Sequence, residues 1–176
     1  EGKVYELVDH VEIEIGGQLI DRQHGDWNAI WWELSTPESK VNALKNLLTQ
    51  QSGYSDATKC SIHYPLNFWF CRNPGLALPL IALQYHEVKI KIKWGDGIGA
   101  SDTAKVWCDY IYLDTDERRR FAQVSHEYLI EQVQRETTAG NTSSIKLNFN
   151  HPVKELIWVN SRGSTGSKSG CEFFPI

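Results

Sequence analysis

The sequence predicts an all-β fold, an antiparallel sandwich, on three observations. From Val88 to Trp94, apolar Val88, Ile90, Ile92 and Trp94 alternate with Lys89, Lys91 and Lys93, the period of a strand with one wet face. Alternation of this kind recurs in at least six segments at short spacing, which is the rhythm of a sandwich. Helical periodicity is confined to one excursion, about residues 26–50, whereas a βαβ enzyme fold would interleave helices with its strands.

Taken in order, Val11, Ile13 and Ile15 alternate with Glu12 and Glu14 and predict the first strand. Gly16-Gly17 suits a two-residue hairpin turn that needs positive φ, and Leu19 and Ile20 begin the return. Asp26 is placed to cap a helix whose Trp27, Ile30, Trp31 and Leu34 fall on one stripe. Ser35 and Glu38, with Pro37 between, have capping-box spacing for a second helix with Val41, Leu44, Leu47 and Leu48 inward. Residues 50–59 read as a loop. Tyr64, Leu66, Phe68 and Phe70 predict another strand, broken at Asn73-Pro74-Gly75 because Pro lacks a ladder donor. The next strand closes on Val88–Trp94, and its lysines discourage stray edge pairing.

Gly95, Gly97 and Gly99 form a glycine-rich turn. Beyond it, Val106, Cys108, Tyr110 and Tyr112 line one side of a strand. Residues 114–120 read as a charged turn, and Glu127–Gln134 as a strand whose composition also tolerates a helix. Residues 135–144 are a polar linker that divides the chain into domains 1–134 and 145–176. Past it, the runs IKLNFN and VKELIWV predict strands on either side of His151-Pro152, and the Ser/Gly/Lys-rich residues from 160 predict a flexible tail.

The bulk numbers fit one soluble globular chain: 176 residues, 41% hydrophobic and 23% charged. A net charge of −4 argues against a dedicated nucleic-acid binder. No run approaches the ~20 apolar residues of a membrane span, and the first residues lack the pattern of a signal peptide. The four cysteines, Cys60, Cys71, Cys108 and Cys171, have neither zinc-motif nor disulfide-framework spacing, which fits a reducing compartment. There is no methionine, which predicts an internal fragment or a processed chain.

Candidates for chemistry fail on spacing. His86-Glu87 and His126-Glu127 would need a second His four residues on to share a zinc ion, and Ile90 and Ile130 stand there. Asp114, Asp116 and Glu117 lack the spaced donors of a calcium loop and are met at once by Arg118, Arg119 and Arg120. The same arginines beside three acids make little field for nucleic acid. The glycines at 95, 97 and 99 do not match a phosphate-binding loop, and no nucleophile elbow occurs. Asn141-Thr142-Ser143 is a formal glycosylation sequon, so Asn141 is the one candidate modification site. The reading is no enzyme, no cofactor and no metal. Seven tryptophans keep a carbohydrate-binding sandwich open as the alternative, although the helical spacing of Trp27 and Trp31 favours packing or a subunit contact.

Four long segments decide between these. VEIEIGGQLIDRQHGDW (Val11 to Trp27), NPGLALPLIALQYHEVKIKI (Asn73 to Ile92), DYIYLDTDERRRFAQVSHEYLIEQVQ (Asp109 to Gln134) and LNFNHPVKELIW (Leu147 to Trp158) closely resemble the major capsid protein of nucleocytoplasmic large DNA viruses. The resemblance implies a double jelly roll, two sandwiches in tandem. Val4 to Gln134 then stand for the later strands of the first jelly roll with its helical insertion, and Leu147 to Val159 for the first strand of the second. It further implies a structural virion protein and a homotrimer forming pseudo-hexagonal capsomers that meet neighbouring capsomers and minor capsid proteins. It implies no direct nucleic-acid contact and no membrane insertion, with assembly in the cytoplasm of the infected host cell. An incomplete jelly roll leaves bare strand edges, so the chain alone is expected to be marginal and prone to aggregate.

Overall fold

The computed structural model describes residues 7–48, 63–95, 103–138 and 144–159. Contacts divide the chain into two units, Glu1–Gln134 and Arg135–Ile176. In the first, a three-stranded antiparallel sheet of order β2-β1-β3 is built from β1 (Val8–Ile15), β2 (Gln18–His24) and β3 (Val88–Trp94). Among the described residues four α-helices accompany it: α1 (Gly25–Ser35), α2 (Glu38–Leu48), α3 (Trp69–Arg72) and α4 (Thr115–Gln123). In the second unit, residues 144–159 form no helix or strand. Among the described residues no helix is long and apolar enough to cross a membrane.

The hairpin follows from its residues. Gly16 and Gly17 take φ of +59° and +82°, the pair of positive values that a turn matched to strand twist requires. A Cβ on Gly16 would also lie 2.7 Å from Nδ1 of His86. Gly16→Ala is therefore expected to cost about 1–2 kcal/mol through left-handed strain alone, more if the ring cannot yield. Gly17→Ala, where nothing lies within 4 Å, should cost less. Urea midpoints of the two variants check the order.

Val11 and Ile13 of β1 are buried, and Ile90 and Ile92 of β3 lie opposite them in register. The core is Val8, Val11, Ile13, Phe68 and Trp69, with Tyr64, Leu66, Ile90, Ile92 and Ile130 among those packed on it. The other face is wet. Arg22 and Lys91 flank Glu12 from β2 and β3, Lys91 reaches Glu14, and Lys93 reaches Asp9 at 2.7 Å. Hydrogen bonds from Lys93 and Lys91 hold the carboxyls of Asp9 and Glu14 below their ordinary values. Exposed pairs of this kind add little stability; they keep this face in water.

The all-β expectation is met only in part. Three strands are found among the described residues, not six or more. Residues 63–68 form no ladder and end in the single turn of α3, because Trp69 is buried as well as Phe68 and breaks period two. The strand expected after Asn73-Pro74-Gly75 is found only as β3: before Val88, Pro74 opens a 3-10 turn and the carbonyl of Pro79 accepts from the N–H groups of Ala82 and Leu83. Residues 105–113, 127–134, 145–150 and 153–159 are likewise without strand pairing.

The helices differ in detail from the expectation. α1 begins at Gly25 with His24 as its N-cap residue, so Asp26 lies within the first turn. Its buried residues are Gly25, Asn28 and Trp32, while Trp27, Ile30 and Trp31 are half-buried and Leu34 is 61% exposed. The Ser35 hydroxyl donates back to the carbonyl of Trp31 instead of capping α2, and no residue of α2 is buried. The expected charged turn is helix α4. Asp114 caps it by accepting from the N–H of Glu117 at 2.9 Å, and the acid at that third position reinforces the cap. The loop at 50–59, the glycines at 97 and 99, the sequon at Asn141 and the tail from 160 lie outside the described residues.

Candidate functional site

The side chains considered for chemistry stay apart. Glu87 pairs with Lys89 at 3.0 Å, and His86 is exposed. His126 stacks between Phe121 and Tyr128 and its Nε2 donates to the Phe121 carbonyl at 2.7 Å. Asp114 is spent on its cap, and Asp116 lies 3.7 Å from Arg119. Cys71 and Cys108 are free and exposed. The tryptophans form no coplanar platform. Trp27 and Trp31 stack at 5.9 Å with the Arg72 guanidinium over Trp31, and Trp32 is buried edge-on to Tyr64.

What the fold does build is a buried polar seam along β2. Asp21 and Gln23 lie opposite Ile13 and Val11, so they face the core. Gln23 donates through Nε2 to the Asn67 carbonyl at 3.0 Å and to Asp21 at 3.1 Å. Asn67 donates to Asn28, and Asn28 to the Tyr64 hydroxyl, at 3.1 and 3.0 Å. The Val133 N–H donates to Asp21 at 3.0 Å, and Gln132 donates to the carbonyl of Ile20. Side chains, not a ladder, thus tie residues 64–67 and 132–133 to the sheet edge. Oε1 of Gln23 is buried without a hydrogen-bond partner among the described residues, so the network is only partly satisfied.

Burial pushes the Tyr64 hydroxyl up to about 12. It also raises the Asp21 carboxyl above its ordinary value, against the pull of the Val133 and Gln23 hydrogen bonds. A raised carboxyl favours folding while protonated, and that contribution is lost as pH rises through the folded pKa. The stability of the native chain relative to Asp21→Asn is therefore expected to be greatest below about pH 4 and to fall as pH rises. Denaturant midpoints across that range test it, and a difference that grows with pH would contradict it.

The second feature is apolar surface. Residues 105–113 belong to no helix or strand, and Val106, Trp107 (85%), Tyr110, Ile111 and Tyr112 (91%) are exposed along them. Both alternating sets are apolar, the pattern of a strand covered on both sides. Within the second unit Leu147, Val153, Leu156 and Trp158 are exposed in the same way. Runs of exposed apolar side chains outside any ladder mark a surface made for another protein or for further strands.

Comparison with known proteins agrees with such a surface. The family described as major capsid protein N-terminus matches residues 3–114, and the family described as large eukaryotic DNA virus major capsid protein matches residues 117–173. The major capsid protein of Pyramimonas orientalis virus is 54% identical over 92% of this chain and 44% of its own length. That of Paramecium bursaria Chlorella virus 1 is 41% identical over 87% of this chain and 40% of its own. In a quasi-atomic structure of the latter virus's capsid, a chain superposes with TM-score 0.62 at 36% identity, covering 85% of this chain and 41% of that one. The chain thus spans less than half the length of these relatives. On these matches the chain belongs to the major capsid protein family of large eukaryotic DNA viruses.

Proposed function

We propose that this chain serves as a structural subunit of an icosahedral large DNA virus shell, without catalysis. The carrying observation is the exposed apolar run at 105–113, which belongs to no helix or strand. In this reading domain 1–134 supplies later strands of one jelly roll and residues 145–176, beyond a linker at 135–144, open a second. The runs that predicted strands acquire partners when the sandwich is completed, because a jelly roll pairs strands distant in sequence. Three such subunits form a pseudo-hexagonal capsomer, which meets neighbouring capsomers and minor capsid proteins. Assembly takes place in the host cytoplasm. Asn141, in the sequon Asn141-Thr142-Ser143, is the candidate modification site on this account. The shell needs complementary surfaces repeated by symmetry and no reactive residue.

Quantitative mass spectrometry of purified particles from cells producing this sequence tests the proposal. Its peptides are expected among the most abundant structural components. Their absence, or presence only at trace level, would overturn it.

A further inference from the structure

Two irregularities in the sheet converge on one place. Continued from the Gly16-Gly17 turn, the pairing Ile15↔Gln18 and Glu14↔Leu19 would set His10 opposite Gln23. A bulge between Ile13 and Glu14 shifts the register by one residue, and His10 meets His24 instead. On the other edge of β1, the pairing with β3 steps from Val8↔Trp94 to His10↔Lys93, leaving Asp9 as the extra residue. Neighbours in a regular strand point to opposite faces, and a bulge relaxes that rule. Oδ2 of Asp9 accordingly lies 3.2 Å from Nδ1 of His10.

We propose that Asp9, His10 and His24 form a binding site for a divalent transition-metal ion of the zinc and cobalt class. One ligand atom from each of the three lies within 4.8 Å of the others. Tetrahedral ligands about 2.1 Å from an ion stand roughly 3.4 Å apart, so small side-chain rotations close the set. The two imidazole rings sit edge to face at 5.7 Å. Two imidazoles with one carboxylate suit zinc, cobalt or nickel better than calcium or magnesium, which prefer oxygen alone. His10 is restrained, its side chain 19% exposed and its Nε2 3.6 Å from Glu12, which is itself held by Arg22. That is the outer support a ligating histidine uses. The competitor for Asp9 is Lys93, whose side chain is 66% exposed and can release into water. A bound ion clamps β1 to β2 across the hairpin and leaves a position open for water or a further ligand.

The test is titration of the untagged chain with Co²⁺, read by visible absorption, and thermal unfolding with and without Zn²⁺. One equivalent is expected to bind saturably and to raise the melting temperature by mass action. His10→Ala and His24→Ala should each weaken Co²⁺ binding about ten-fold or more, while His151→Ala should not. Asp9→Asn is a near-isosteric change at an exposed residue, so it should weaken binding with no loss of fold in metal-free protein. Absence of saturable binding, or binding unchanged in both Asp9→Asn and the His10→Ala/His24→Ala double variant, would overturn the proposal.

Discussion

Phe68→Ala is expected to cost about 3–5 kcal/mol and to leave little or no cooperative unfolding transition. Phe68 is 0% exposed and the largest fully buried side chain among the described residues. It stacks on Phe70 at 5.6 Å and meets Trp69 edge-on at 6.4 Å. It also packs with Val8, Val11 and Ile13 of β1. Transfer of a phenylalanine side chain to water accounts for roughly 1.5–3 kcal/mol. The remainder is the cavity, which backbone held by the Gln23–Asn67 bond cannot collapse to fill. Domains are commonly stable by only about 5–15 kcal/mol, so one such loss is decisive. Fluorescence of buried Trp32 and Trp69 reports it in urea. A loss below about 1 kcal/mol, the ordinary effect of a substitution, would show that Phe68 is not at the centre of the core.

The other large effect concerns association. The chain by itself is expected to self-associate, and Trp107→Glu with Tyr112→Glu should return it toward monomer. Each exposed aromatic buried on association contributes roughly 1.5–3 kcal/mol, so the pair should weaken association by roughly two to four powers of ten. Because both rings face water in the single chain, the unfolding midpoint should move by no more than about 0.5 kcal/mol. Sedimentation velocity over a concentration series separates the outcomes. A native chain that stays monomeric, or a double variant that associates equally well, would remove this run from any assembly surface.

Legibility in the sequence followed the range of the contacts. The hairpin and β3 could be read because their determinants are local: alternation in Val11–Ile15 and Val88–Trp94, and two glycines at positive φ. Helix α4 is signalled by the capping spacing of Asp114 and Glu117, but the charges of Arg118–Arg120 make the same segment resemble a turn. The run from Tyr64 to Phe70 misled because its period-two residues are real but its partners are side chains, Gln23 and Asn28, dozens of residues away. The inner stripe of α1 misled for a related reason. Asn28 is buried by its bonds to Tyr64 and Asn67, and it carries Trp32 inward with it. The polar seam and the Asp9–His10–His24 cluster were not legible, because a one-residue bulge decides which side chains meet. Function was read from the resemblance of long segments, not from any short motif, as suits a protein whose role rests on surfaces.

The central claim is that the exposed apolar run at 105–113 gains its partners on assembly. Amide hydrogen exchange, compared between the isolated chain and purified particles containing it, measures this directly. The account predicts rapid exchange from Val106 to Tyr112 in the isolated chain and strong protection in the particle. Equally rapid exchange in both would contradict it.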